Sequence, residues 1–481
     1  MNYEDLLAEN KAQAEIIARL THELEQLKKL IFGSRKERFI PAQVDVLQGN
    51  LFADMEPEPV EAPVGEQKIS YTRKAPKKHP GRNEIPSHLP VNEIIIEPAE
   101  DTTGCVKIGE EVTETLEYTP ATLVKRVTRR PKYKKADETI IVGELPCRPI
   151  DKCIAESSLL AHICVSKFVD HLPFYRQIQM FKRDYGWEPP SSTINDWYAG
   201  ICTLLKPLYE AMKTKVLEGH YIQADESPIK VLDSDKPGQT HQGYQWVYHG
   251  VQEGIVLFDY RKGRGLNGPK EFLQSFNGYI QTDGYTVYDT ITRARPDMHH
   301  VACLAHVRRK YIEAQSNDKK RADHALTCIG QIYEHERISK DYLPEQRKDY
   351  RLRHIKPIMM ELKEWIETES IKIVPKSAIG LAMAYHQGQM QKLLAVLEDG
   401  VLEIDNNLIE NKIRPLALGR KNYLFAGSHE AGKRMAMMYS FFGTCKAHDI
   451  NPRDWLQNTL DKINSTKLSE LHTLIPGFEK T

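Results

Sequence analysis

Over the first 31 residues, side chains at the buried positions of a helical seam recur every seven. Tyr3, Asn10, Ile17, Leu24 and Ile31 fall in one series and Leu6, Gln13, Leu20 and Leu27 in the other. Four such heptads, with Glu and Lys around the seam, predict a coiled coil. A lone amphipathic helix packed on its own domain would share the pattern. Gly33-Ser34 ends it, and residues 41–90 are Pro-rich without apolar periodicity, which predicts a linker. From Val91 to Pro149, short runs such as Glu93-Ile94-Ile95-Ile96-Glu97 and Thr139-Ile140-Ile141-Val142 predict a small β-rich module. The period turns helical over 157–200. Ser157-Ser158 opens a run through Leu159, Leu160, Ile163 and Val165; a second helix is expected from about Pro173 to Arg183, and Ser191-Ser192-Thr193 opens a third after Pro189-Pro190. This group reads equally as a helix-turn-helix or as a helical connector.

From Gly219 the pattern is strand-like. Gln245-Trp246-Val247-Tyr248 and Ile255-Val256-Leu257-Phe258 are β-branched and aromatic runs on either side of a Gly-containing turn. Residues 301–398 are mostly helical in pattern, and after 403–445 a last helix is expected with Asn451 as its cap and Pro452 in its first position.

Composition limits what such a chain can be. Its 481 residues suggest about three or four domains. No run approaches the ~20 apolar residues of a membrane span, and the N-terminal residues lack the basic and apolar regions of a secretory signal. Eight cysteines without a C-x-x-C pair suit a reducing compartment. Lys and Arg (66) balance Asp and Glu (66), which taken alone argues against a nucleic-acid partner. The distribution argues otherwise. Residues 41–66 hold six acids and no base; residues 68–82 hold six bases and no acid; residues 123–135 hold seven bases, with Leu123, Val124, Val127 and Tyr133 interleaved. The last block predicts an ordered basic surface carrying Arg126, Arg129, Arg130 and Lys132.

Two carboxylates sit in near-identical surroundings, Tyr221-Ile222-Gln223-Ala224-Asp225 and Tyr279-Ile280-Gln281-Thr282-Asp283. Each reads as a short strand whose last residue is Asp. On neighbouring strands, both side chains would project from one sheet edge towards a shared Mg²⁺, a cation that prefers oxygen ligands; alternatively, both simply start turns. A third carboxylate, Glu410, lies in Asp405-Asn406-Asn407-Leu408-Ile409-Glu410, where Asp405 suits a helix cap and Glu410 faces away from the apolar side. Pairing with Arg414 at i+4 would be its bland alternative. Between 411 and 434 stand six bases and one acid, including Arg420-Lys421-Asn422 before Phe425-Ala426-Gly427-Ser428. Bases following a metal ligand suit a polyanion laid across the site.

These segments, together with Ser158-Leu159-Leu160-Ala161-His162, Ser166-Lys167-Phe168-Val169-Asp170-His171-Leu172-Pro173-Phe174-Tyr175-Arg176 and Cys303-Leu304-Ala305-His306-Val307-Arg308-Arg309-Lys310, resemble the transposases of the insertion-sequence-66 family. They span most of the chain in the family's order. The resemblance implies an α/β ribonuclease-H-like catalytic domain with a helical insertion, an N-terminal coiled coil, a small zinc-finger-like β module and a helix-turn-helix. It also implies an Asp-Asp-Glu metal triad, Asp225, Asp283 and Glu410, holding two Mg²⁺ (or Mn²⁺) ions. Expected DNA contacts are Arg126, Arg129, Arg130, Lys132, Arg308, Arg309, Arg420, Lys421 and Asn422.

The implied organisation is a coiled coil (1–32), an acidic then basic linker (33–90), a degenerate zinc-finger-like module (91–150) and a helix-turn-helix-like region (151–210). A catalytic domain in two parts (211–315 and 399–448) then surrounds a helical insertion (316–398), and 449–481 is a C-terminal helical segment. One departure stands out. Where the family has two C-x-x-C pairs, this chain reads Asp101-Thr102-Thr103-Gly104-Cys105 and Lys134-Lys135-Ala136-Asp137. A structural zinc site needs about four ligands, so no structural zinc is expected. His306 with Cys303 is likewise too small a set, and a structural or DNA-contacting histidine is expected.

The activity implied is Mg²⁺-dependent cleavage of element ends followed by strand transfer. A ribonuclease-H-like nuclease or resolvase without strand transfer, and a coiled-coil DNA binder with a decayed catalytic domain, are the rivals. Expected partners are element-end and target DNA, a second copy through the coiled coil, and accessory proteins of the same element, with no membrane. The expected place is the bacterial cytoplasm, on the nucleoid when bound to DNA.

Overall fold

The computed structural model describes residues 122–126, 132–134, 140–142, 148–151, 153–232 and 238–478. The expected coiled coil, the charged linker and most of the β-rich module, with Cys105, Arg129 and Arg130, lie outside the described residues. Of that module one antiparallel pair is described, β1 (Lys132–Lys134) with β2 (Ile140–Val142), Tyr133 opposite Ile141.

The three expected helices are α1 (Ser157–Phe168), α2 (Phe174–Tyr185) and α3 (Ser191–Glu218). They are not a separate domain. Leu160, Ile178 and Ile194 share one core with the strands that follow, and α3 continues past the expected boundary at 210 with Leu208, Met212 and Val216 buried in that core. Pro207 lies inside α3 without ending it.

Five strands form the central sheet: β3 (Tyr221–Leu232), β4 (Thr240–Gly250), β5 (Ile255–Arg261), β6 (Gly278–Thr282) and β7 (Met298–Ala302). Their order is β5-β4-β3-β6-β7; β5, β4 and β3 are antiparallel neighbours, whereas β3, β6 and β7 run parallel. The expectation that both Asp residues end short strands holds for one of them. Asp283 directly follows β6, but Asp225 lies within β3, which continues to Leu232 because β4 pairs with it from Ile222–Gly250 to Leu232–Thr240.

The short α4 (Asn267–Phe272) and α5 (Thr286–Arg293) flank β6, and α6 (Leu304–Ala314) follows β7. The expected helical insertion is α7 (Lys319–Ile338), α8 (Pro344–Ser370) and α9 (Ala378–Leu394). It has its own core, in which Tyr311 of α6 packs with Ile329, Ile355, Leu362 and Met383. The chain returns through α10 (Asn407–Tyr423), α11 (His429–Ala447) and α12 (Pro452–Lys462), the last capped by the Asn451 side chain, which accepts from the Arg453 amide at 2.9 Å. Helix α11 covers the outer strand. Thr444 and Ser440, one turn apart, accept from the amides of Val256 (3.0 Å) and Phe258 (2.8 Å), satisfying an edge that would otherwise be open to pairing.

Candidate active site

The repeated pentapeptides lie side by side. Tyr221, Ile222 and Gln223 pair in parallel register with Tyr279, Ile280 and Gln281, so the two Asp residues leave the paired region at the same level of adjacent strands. Between them the two glutamines form a buried junction. Gln223 Nε2 donates to Gln281 Oε1 at 2.8 Å and to the Asp405 carbonyl at 3.2 Å, while Gln281 Nε2 donates to the Glu403 carbonyl at 2.7 Å. Asn406 Nδ2 donates to the Ala224 carbonyl at 3.3 Å. These bonds fasten the segment that starts α10 onto the strands bearing the two Asp residues, and Glu410 sits in the first turn of that helix. The helix cap falls on Asn406, one residue beyond the expected Asp405; Asp405 instead accepts from Asn407 N–H (3.0 Å) and from the Tyr333 hydroxyl (3.0 Å).

The three carboxylates share one electrostatic neighbourhood. Burial pushes the Asp225 carboxyl well above its ordinary range, and Asp283, Glu226 and Glu410 add to the rise. Burial also raises Glu410, opposed by the nearby Arg309 and Arg414 guanidiniums. Glu226 is raised by burial and restrained by Arg264, whose Nε donates to its Oε1 at 2.6 Å; its Oε2 is buried without a hydrogen-bond partner among the described residues. Asp225 Oδ1 accepts from the Glu226 amide at 2.7 Å, and Asp283 Oδ1 from the Tyr285 amide at 3.0 Å. Among the described residues, no three His, Cys, Asp or Glu side chains are gathered closely enough to form a ready metal-ligand set. The donor set nonetheless has the right chemistry for a hard divalent cation: all oxygen, half-buried, and mutually repulsive unless positive charge is supplied.

The turn after β6 is held from the insertion. Gly284 adopts φ +96°, and a Cβ there would lie 2.8 Å from the Tyr385 hydroxyl, which donates to the Asp283 carbonyl at 3.0 Å. From the same insertion helix a half-buried relay also reaches the turn. Lys392 lies 2.6 Å from Asp289 Oδ1, which lies 2.8 Å from His300 Nδ1, and His300 Nε2 lies 2.8 Å from Thr282 Oγ1. A carboxylate only accepts, so His300 carries its proton on Nδ1 and Thr282 donates to Nε2.

Of the expected DNA contacts, Arg309 stands beside Glu410, and Arg308 beside the insertion's Tyr333. At the far end of α10, about 15–18 Å from Glu410 by helical rise, Arg420 donates to the Pro228 carbonyl, Lys421 is exposed, and Asn422 Oδ1 accepts from Arg176 at 3.3 Å. Arg126 is exposed, 3.9 Å from Glu156; Lys132 is described only as part of β1. His306 is half-buried, and its Nδ1 has no hydrogen-bond partner among the described residues. The residues that sequence reasoning passed over are Gln223, Gln281, Asn406, Glu226, Arg264, Tyr385 and the Lys392 relay. Only the glutamines carried a signal, standing two residues before each Asp of the repeat.

Comparison with known proteins adds a family. A family model described as "Transposase IS66 family" matches residues 152–434, "Transposase C of IS166 homeodomain" matches 19–94, and "IS66 C-terminal element" matches 440–476. Among curated relatives, uncharacterized protein y4jD of Sinorhizobium fredii is 30% identical over 503 residues, covering 99% of this chain and 97% of its own. Uncharacterized protein y4qI of the same organism is 31% identical over 495 residues, covering 98% and 90%.

Proposed function

The chain belongs to the IS66 transposase family, and from that premise we propose that it cuts the ends of its mobile element and joins them to target DNA with an Asp225–Asp283–Glu410 centre. The observation that carries this reading is the in-register pairing of the two Asp-bearing strands, with the segment that starts the Glu410 helix fastened to them by the Gln223–Gln281 junction. The strand order, three antiparallel strands followed by two parallel ones, supports a ribonuclease-H-like domain.

Asp225, Asp283 and Glu410 would hold Mg²⁺ or Mn²⁺, two ions in the reading adopted here. When bound, such ions activate an attacking oxygen and stabilise a leaving one on a phosphodiester. The chain's own groups do the rest. The Asp225 and Glu410 carboxyls, raised by burial, stay ionised where positive charge is near. Tyr385 and the Thr282 relay fix the Asp283 turn. Arg309, Lys421 and Asn422 position the DNA backbone rather than read its bases. Water hydrolyses the phosphodiester at the element end to leave a 3′-hydroxyl, which then attacks a target phosphodiester and displaces its 3′ oxygen. No protein group becomes bonded to DNA.

Strand cleavage and joining by the full-length protein on its own inverted-repeat DNA tests the reading. Asp225→Asn is expected to abolish cleavage while end binding persists; retained cleavage would overturn the assignment. Cut but unjoined products from the unaltered chain would select the nuclease rival. End binding without cutting by that same chain would select the decayed one.

A further inference from the structure

Tyr423 to Ser428 connect α10 to α11, and the backbone there is strained at a residue that is not glycine. Leu424 has φ 62° and ψ −43°, and the Phe425 amide donates to the Tyr423 carbonyl at 2.7 Å. That is a γ-turn of the hand a β-carbon disfavours. It is clamped on both sides. The Leu424 amide donates to the Arg420 carbonyl at 3.0 Å, and Ala426 is pinned to the free edge of β3, its amide donating to Lys230 O at 2.8 Å and its carbonyl accepting from Leu232 at 2.9 Å. Strain of this kind persists only where the surroundings over-determine it.

What the turn achieves is presentation. Leu424 is 65% and Phe425 41% exposed, while the flanking Ala426 is buried and the Tyr423 hydroxyl meets Tyr439 at 3.2 Å. An exposed leucine alone needs no explanation. Here two apolar side chains stand together on a fixed tip, and the exposed Lys421, three residues before Leu424, and the exposed Arg176, which reaches Asn422 at 3.3 Å, give that tip a basic rim. The acid in that stretch, Glu430, is paired with Lys433 at 2.6 Å. A rim of this sign favours a phosphate backbone over an apolar pocket of another protein.

We propose that Leu424 and Phe425 form a wedge that enters a base step of the element end, unstacking and kinking the duplex beside the catalytic centre. Apolar side chains on a rigid support, flanked by phosphate-binding bases, act on DNA in this way. The distance sets where. About 20 Å along α10 from Glu410, at 3.4 Å per nucleotide, places the wedge about six base pairs from the cut phosphate. The inference rests on the transposase reading and adds to it a DNA distortion at a defined step.

The test uses the full-length protein and duplexes of the inverted repeat flanking its gene, with 2-aminopurine walked along one strand. The unaltered chain is expected to raise fluorescence several-fold at one step about six pairs from the cut. Phe425→Ala should lose most of that rise while binding, read by anisotropy, persists with a loss of about five- to tenfold, the low end of one base-stacking contact; Phe425→Trp should keep it. Leu424→Gly, which frees the turn, should weaken the rise with Phe425 still present. If the unaltered chain binds and cuts the end with no rise at any position, or if Phe425→Ala retains the rise, the wedge is overturned and the transposase reading stands. A change in oligomeric state in place of the fluorescence loss also overturns it, in favour of a protein contact. A chain that neither binds nor cuts overturns both.

Discussion

Gln223 and Gln281 stand opposite each other on adjacent parallel strands with their side-chain amides joined at 2.8 Å, and each then reaches across to a backbone carbonyl of the segment that begins the Glu410 helix. Two residues therefore tie three pieces of chain that lie up to 182 positions apart. Removing one amide leaves a buried carbonyl without its donor, which costs about 1–3 kcal/mol. Gln281→Leu is expected to fall in that range by urea unfolding. Because the partners share one network, the Gln223→Leu/Gln281→Leu pair should cost less than the sum of the two single changes. Binding of Mn²⁺, read by calorimetry on the folded variant, should weaken as well, since the start of the Glu410 helix is no longer fastened to the two Asp-bearing strands. Unchanged Mn²⁺ affinity would show that the junction serves stability alone.

The return of the chain from the insertion depends on a buried charge cluster. Arg351 is wholly buried, donates from Nε to Glu336 at 2.7 Å, and caps the carbonyls of Val396 (3.1 Å), Asp399 (3.2 Å) and Leu402 (2.7 Å). Arg347 joins Glu336 at 2.8 Å to Glu403 at 3.1 Å. Arg351→Met leaves three carbonyls bare and Glu336 half-paired, so a loss of about 3–5 kcal/mol is expected in denaturant unfolding. Changing the exposed Arg353, 3.8 Å from Asp349, should cost about 0–1 kcal/mol. Similar losses from the two changes would refute the distinction.

How much of this was legible in the sequence follows from the range of the interactions. The repeated Tyr-Ile-Gln-x-Asp strands could be read because alternation is local, and their likeness hinted at pairing. The insertion could be read because a helical period sustained over tens of residues is hard to mistake. The continuation of β3 beyond Asp225 could not, since it depends on β4, and the merger of α1–α3 with the sheet's core depends on tertiary packing. Arg347 and Arg351, four apart on a polar helix, look like a solvated face until Glu336 and the 396–403 segment close over them. The Lys392–Asp289–His300–Thr282 relay joins residues more than a hundred positions apart and leaves no local trace.

That relay makes a pH prediction. Hydrogen bonding from His300, with Lys392 assisting, holds the Asp289 carboxyl down at about 2. A carboxyl more acidic in the folded chain than in the unfolded one stabilises the fold above its unfolded pKa of about 4, and that contribution disappears as pH falls towards 2. The stability gap between the unaltered chain and Asp289→Asn should therefore be full at pH 6 and shrink between pH 4 and 2. Denaturant unfolding at several pH values measures it. A gap independent of pH would mean that Asp289 contributes through packing rather than charge.

The strained turn at Leu424 sets stability against the proposed wedge. With φ at 62°, Leu424 occupies backbone space where a β-carbon costs about 1–3 kcal/mol. Glycine removes that cost but gives the unfolded chain more freedom, worth about 0.5–1 kcal/mol in the opposite sense. Little packing is lost, because the side chain is 65% exposed. Leu424→Gly should then be neutral or up to about 2 kcal/mol more stable than the unaltered chain, with a raised Tm where the strain dominates. Leu418 serves as the control: it is 50% exposed but inside α10, where glycine should cost about 1 kcal/mol. If Leu424→Gly destabilises as much as Leu418→Gly, the turn stores no usable strain. A gain in stability together with a loss of base unstacking would identify Leu424 as a residue kept at the expense of the fold.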